Sequence, residues 1–197
     1  ENRSEIAWVG QLHPECASYT EVYRDYGLLR RGCTIMAHAV HLTGREEAIL
    51  REEGVTLAHC AQSNTNLSSG IAPVRTYLEQ GIPTGLGTDV AGGAGESVFR
   101  AMADAIQVSK LRWRLVDESL KPLTVEEAFY LGTKGGGAFF GKTGSFEPGY
   151  ELDAVVLNDE SLRHPQPLDL KDRLERFIYI SDERHIDAKY VAGCQVF

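Results

Sequence analysis

No apolar run in this sequence approaches the ~20 residues that a membrane-spanning helix requires, and a transmembrane protein is not expected. Positive charge is also in short supply. Twenty Lys and Arg stand against 28 Asp and Glu, a net charge of −8. A surface that follows a phosphate backbone needs the opposite sign, so nucleic acid is set aside as a partner. Cysteine is sparse and scattered: Cys16, Cys33, Cys60 and Cys194 include no C-x-x-C pair. Neither a disulfide framework nor a cysteine-based zinc site fits that spacing, and reduced thiols in a cytoplasmic protein do. The chain opens with neither an initiator Met nor a signal peptide. Glu1-Asn2-Arg3-Ser4-Glu5 reads as the middle of something longer, and a fragment is expected.

What is present suits a globular α/β protein. With 43% hydrophobic and 24% charged residues over 197 positions, the chain can bury one sizeable core. Residues 3–13 and 19–29 have helical spacing. A repeating alternation follows: an apolar run over 33–38, a helix over 43–53 stopped by Gly54, and a second run over 55–60. A helix over 71–80, a third run over 82–89 and a long helix over 96–116 continue it. Short strands alternating with helices of this size indicate βα units and a parallel sheet. The runs are nearly continuous in apolar residues, as when both sheet faces are covered. Further on, a capping-box start at Thr124 predicts another helix. Strands are expected over 152–157 and 190–196, with Pro165 and Pro167 marking a loop between them.

Each of the three central runs ends in a polar residue: His38, His59 and Asp89. Parallel α/β folds collect their chemistry at the C-terminal ends of strands, where loops converge. Taken singly, each residue has a plain structural reading. A histidine can cap a strand, and an aspartate can cap a turn. Three consecutive strand ends carrying His, His and Asp are harder to assign to capping alone. His41 reads as a solvated loop residue. The amides after the second run, Gln62 and Asn64 with Ser63 between them, fit a substrate loop or ordinary turn chemistry.

Several motifs together carry a resemblance. They are Met36-Ala37-His38, then Ala58-His59-Cys60 with Ser63-Asn64 and Leu67-Ser68-Ser69-Gly70, then Gly85-Leu86-Gly87-Thr88-Asp89-Val90-Ala91-Gly92-Gly93. Gly144-Ser145-Phe146-Glu147-Pro148-Gly149 followed by Asp153-Ala154-Val155-Val156-Leu157 extends the set. The ordered series resembles the amidohydrolase superfamily, and within it the guanine deaminase group. The resemblance implies the C-terminal part of a (β/α)8 barrel, about strands six to eight, over residues 1–143. Residues 144–197 would return into a small β-sandwich and end in a C-terminal strand.

The same resemblance implies hydrolytic deamination of guanine, a small-molecule purine, with one zinc ion as cofactor. Asp89 would be a metal ligand and would accept a proton from the attacking water. His38 would hydrogen-bond the attacking oxygen. Glu1 would match the glutamate of a His-x-x-Glu motif and carry a proton to the ring nitrogen and the leaving ammonia. Ser63 and Asn64 would touch the substrate. The family's remaining ligands, all histidines, have no match in this chain, so the chain alone is expected to be inactive. A homodimer, or association with a missing N-terminal half through an open edge near Thr34–Ala37, is the expected assembly.

Other readings stay open. Another purine- or triazine-type aminohydrolase would share the motifs, and a non-catalytic module could keep the fold. A cytidine-deaminase zinc site lacks its H-x-E and P-C-x-x-C signature here. Gly136 to Thr143 matches the phosphate-binding pattern G-x-x-x-x-G-K-[ST]. That pattern has force only between a strand and a helix, whereas a helix is expected before it and a strand after it.

Overall fold

The computed structural model describes residues 2–197. Two helices open the chain, α1 (Arg3–Leu12) and α2 (Tyr19–Asp25). The Asn2 side chain caps α1 by accepting from the Glu5 amide at 2.8 Å, which satisfies one of the free N–H groups at the helix start. Strand β1 (Ile35–Ala37) follows, then α3 (Gly44–Glu53) and β2 (Thr56–His59). Helix α3 starts in a full capping box between Thr43 and Glu46 and stops at Gly54 in the left-handed conformation. Glu46 also accepts from the Thr20 amide and hydroxyl, at 3.2 and 3.0 Å, and so docks α2 onto α3.

Next come α4 (Ala61–Asn66), α5 (Val74–Glu79), β3 (Thr84–Leu86) and the 18-residue α6 (Val98–Leu115). Helix α7 (Val125–Tyr130) runs into one π-helical turn over Leu131–Gly135. Strands β1, β2 and β3 form a parallel sheet in that order. Its register pairs Ala37 with Ala58 and His59 with Leu86. The strands therefore finish nearly level with one another, and the residues that leave them emerge on one side of the sheet. Val55, Leu57, Tyr77, Met102, Ala105, Ile106 and Leu131 are almost wholly buried around this sheet. Their removal from water supplies the main force holding the helices to it.

The remaining chain builds a second, antiparallel sheet from β4 (Ala154–Leu157), β5 (Ile186–Val191) and β6 (Cys194–Gln195), with α8 (Leu170–Ile180) between β4 and β5. Phe177 of α8 packs edge-on against Phe99 of α6, with ring centroids 5.0 Å apart, and ties this segment to the first.

Three features differ from the sequence reading. The last strand was expected over 190–196, but that span straddles a hairpin turn. Ala192 and Gly193 both take positive φ, at 48° and 79°, the pair of values that a tight two-residue turn demands. The loop marked by Pro165 and Pro167 gives way at Asp169, whose side chain caps α8. The segment after β2, read as a substrate loop or turn, is helix α4. The phosphate-binding pattern over 136–143 directly follows the π-helical turn and runs into a loop, so no strand leads into it and no helix leaves it.

Candidate active site

Residues that leave the level ends of β1, β2 and β3 converge. His38 follows β1 directly, and its amide donates to the Ala58 carbonyl at 2.9 Å. Its backbone then turns into the left-handed region at φ 70°, as does that of Asp89 beyond β3 at φ 51°. Residues other than glycine adopt that region at a cost of order ~1–3 kcal/mol, and such outliers concentrate at functional sites. Here the two turns bring the His38 Nε2 within 3.9 Å of the Asp89 Oδ2. That separation is too long for a direct hydrogen bond.

Cys60 joins them. Donor atoms of His38, Cys60 and Asp89, one nitrogen, one sulfur and one oxygen, all lie within 4.8 Å of one another. A mixed set of this kind suits a borderline divalent cation such as zinc. Sequence reading had placed Cys60 among the reduced thiols and within the Ala58-His59-Cys60 motif, without a role in the site. The signal that it borders the site was its place directly after His59.

Helix α4 forms the floor. Ser63 and Asn64 are fully buried, and the Asn64 Oδ1 lies 2.9 Å from the His38 Nδ1. His59, Ser63 and Asn64 each keep one buried polar atom without a hydrogen-bond partner among the described residues: Nδ1, Oγ and Nδ2 respectively. Buried polar atoms are rarely left so, and an ordered water or a polar ligand can satisfy each. His59 is wholly enclosed, and that burial, reinforced by His38 nearby, lowers its pKa to about 4. It is a neutral imidazole at physiological pH.

The loop after Asp89 is fastened to the same helix. Gln62 accepts from the Ala94 amide at 2.6 Å, and Asn66 donates to the Gly92 carbonyl at 2.8 Å. Gly92 has no room for a side chain. A Cβ there would lie 2.6 Å from the Ser63 Oγ and 2.9 Å from the Asp89 Oδ2. Sequence reading missed the anchoring role of Gln62 and Asn66, because it depends on contacts across about thirty residues.

Not every expected residue falls where it was expected. His41 is half-buried rather than solvated, and burial lowers its pKa. Glu1 lies outside the described residues.

The amidohydrolase family model matches residues 1–196, nearly the entire chain. The chain belongs to the amidohydrolase family. Among its amidohydrolase relatives, guanine deaminase from Dictyostelium discoideum is 37% identical and guanine deaminase from Homo sapiens 38% identical. Both alignments cover 100% of this chain and 45% of the relative, so the chain spans less than half the length of these proteins. The crystal structure of guanine deaminase from C. acetobutylicum, with bound guanine in the active site, superposes with a TM-score of 0.95 at 47% identity. It too is matched over 100% of this chain and 47% of its own. The α/β fold of these 196 described residues is thus the amidohydrolase fold.

Proposed function

We propose that the protein carrying this chain hydrolyses guanine to xanthine and ammonia, with one zinc ion as its cofactor. The observation that carries this reading is the facing pair His38 and Asp89, 3.9 Å apart on the level ends of parallel strands. In this reading residues 1–143 are the part of a (β/α)8 barrel that holds its sixth to eighth strands. Residues 144–197 belong to a small β-sandwich.

Zinc, when bound, supplies the Lewis acid that lowers the pKa of a water towards ~7. Asp89 would help to hold the metal, and its carboxylate would accept the proton of the attacking water. His38 would hydrogen-bond the attacking oxygen. Glu1 delivers a proton to the purine ring nitrogen and then to the departing amine, the general acid step that makes ammonia a competent leaving group. The buried polar atoms of Ser63 and Asn64 face the substrate's polar edge, directly or through water. Because His38 is assigned to the attacking oxygen, Asp89 is the one family ligand among these residues. A catalytic zinc takes three or more protein ligands, so these 197 residues by themselves turn over little or no guanine. The reading includes a cytoplasmic homodimer.

The test is ammonia release from a panel of amino-heterocycles by the protein carrying this chain, loaded with zinc. Turnover of guanine well above that of adenine and of an aminotriazine is expected. Preference for a triazine, or for another purine, would replace guanine with that substrate. No release from any of them would leave a non-catalytic module.

A further inference from the structure

We infer that Asn64 is a positioning residue that fixes the tautomer of His38, so that the imidazole presents an accepting Nε2 towards Asp89. The contact is between the His38 Nδ1 and the Asn64 Oδ1, at 2.9 Å. An amide oxygen only accepts, so the shared proton belongs to Nδ1. In a neutral imidazole the other nitrogen then carries the lone pair. That lone pair faces the Asp89 carboxylate across 3.9 Å. One water, with two O–H groups, can donate to both acceptors, whereas the reverse tautomer would offer a donor there instead.

The Asn64 side chain is well placed for this duty. It is 1% exposed. Its backbone is held at both ends of α4, by its own amide donating to the Cys60 carbonyl at 3.0 Å and by its carbonyl accepting from the Ser69 amide at 2.8 Å. The His38 backbone is fixed in turn through the Ala58 carbonyl. Both partners are therefore oriented by the fold before any ligand arrives. The Asn64 Nδ2 has no partner among the described residues, so replacing Asn64 by Leu leaves no protein acceptor stranded apart from its effect on His38. Partners that orient a site residue through its second ring nitrogen typically change affinity or activity by ~10- to 100-fold when removed.

The catalytic part of this inference rests on the deaminase reading, and the tautomer part does not. The experiment joins the two. Nitrogen-15 NMR at a pH where the imidazole is neutral reports the tautomer of His38, assigned among the six histidines by its loss in His38→Gln. Steady-state kinetics with guanine accompanies it, on the wild-type protein carrying this chain, Asn64→Leu and Asn64→Asp. His38 protonated at Nδ1 in the wild type is expected. The preference should be lost in Asn64→Leu and kept in Asn64→Asp, whose carboxylate still accepts. In Asn64→Leu, kcat should fall by about 10- to 100-fold, and KM should rise as the Asn64 contact to the substrate is lost with it. Protonation at Nε2 in the wild type overturns the inference even if the Leu variant does not fold. So does a folded Asn64→Leu with wild-type kcat. A wild type that turns over no guanine, but whose His38 tautomer follows residue 64 as described, defeats the deaminase reading and upholds the positioning role.

Discussion

His59 shows how one residue can be decisive for stability without being assigned any chemistry. Burial holds its pKa at about 4, against an ordinary 6.5, so the folded protein keeps it neutral. Between those values the unfolded chain binds a proton that the folded chain refuses. Stability is therefore complete above about pH 6.5 and declines as the pH falls towards about 4, by on the order of 3 kcal/mol in all. Urea unfolding across pH 4–7 should show this decline, and His59→Asn should flatten it. An equally steep acid limb in the variant would assign the effect to other groups. At this scale His38 and Asp89 were legible in the sequence, because a polar residue ending an apolar run is a local pattern. The closeness of Cys60 to both was not. The three positions are 22 and 29 residues apart, and only the register that pairs Ala37 with Ala58 and Ala58 with Gly85 brings them together.

Among the elements, the helices with strong start and stop signals matched their expected spans closely. Thr43 and Gly54 bound α3, and Thr124 begins α7. Helix α4 escaped notice because its sequence, Ala-Gln-Ser-Asn-Thr-Asn, has low helical propensity, and packing against α6 overrides that preference. Helix α8 was obscured by the prolines ahead of it. Glu127 accepts from both terminal guanidinium nitrogens of Arg75, at 2.6 and 2.5 Å. Arg75 donates as well to the Lys121 and Pro122 carbonyls, each at 3.0 Å. One side chain thus clamps α5 to the loop and first turn of α7. Arg75→Ala should lower stability by about 2 kcal/mol, measured by denaturant midpoint at constant m-value. A loss within ~0.5 kcal/mol, the range of an ordinary surface substitution, would mean the clamp is no stronger than an exposed ion pair.

At the level of the whole molecule, the alternation of short apolar runs and helices was enough to announce a parallel α/β sheet, and the amidohydrolase fold agrees with it. The second sheet was only half legible, since β5 and β6 are joined by an Ala-Gly turn that interrupts no hydrophobic pattern. What the whole fold does for chemistry is to end three parallel strands level, so that two left-handed turns aim His38 and Asp89 at one point. The central claim is that this point is the reaction centre. Xanthine formation from guanine by the protein carrying this chain, compared with its Asp89→Ala variant, tests it most directly. A fall of about 10²- to 10⁴-fold in kcat/KM, with the melting temperature of the zinc-free protein little changed, is the predicted result. Wild-type turnover by the Asp89→Ala variant would contradict the account.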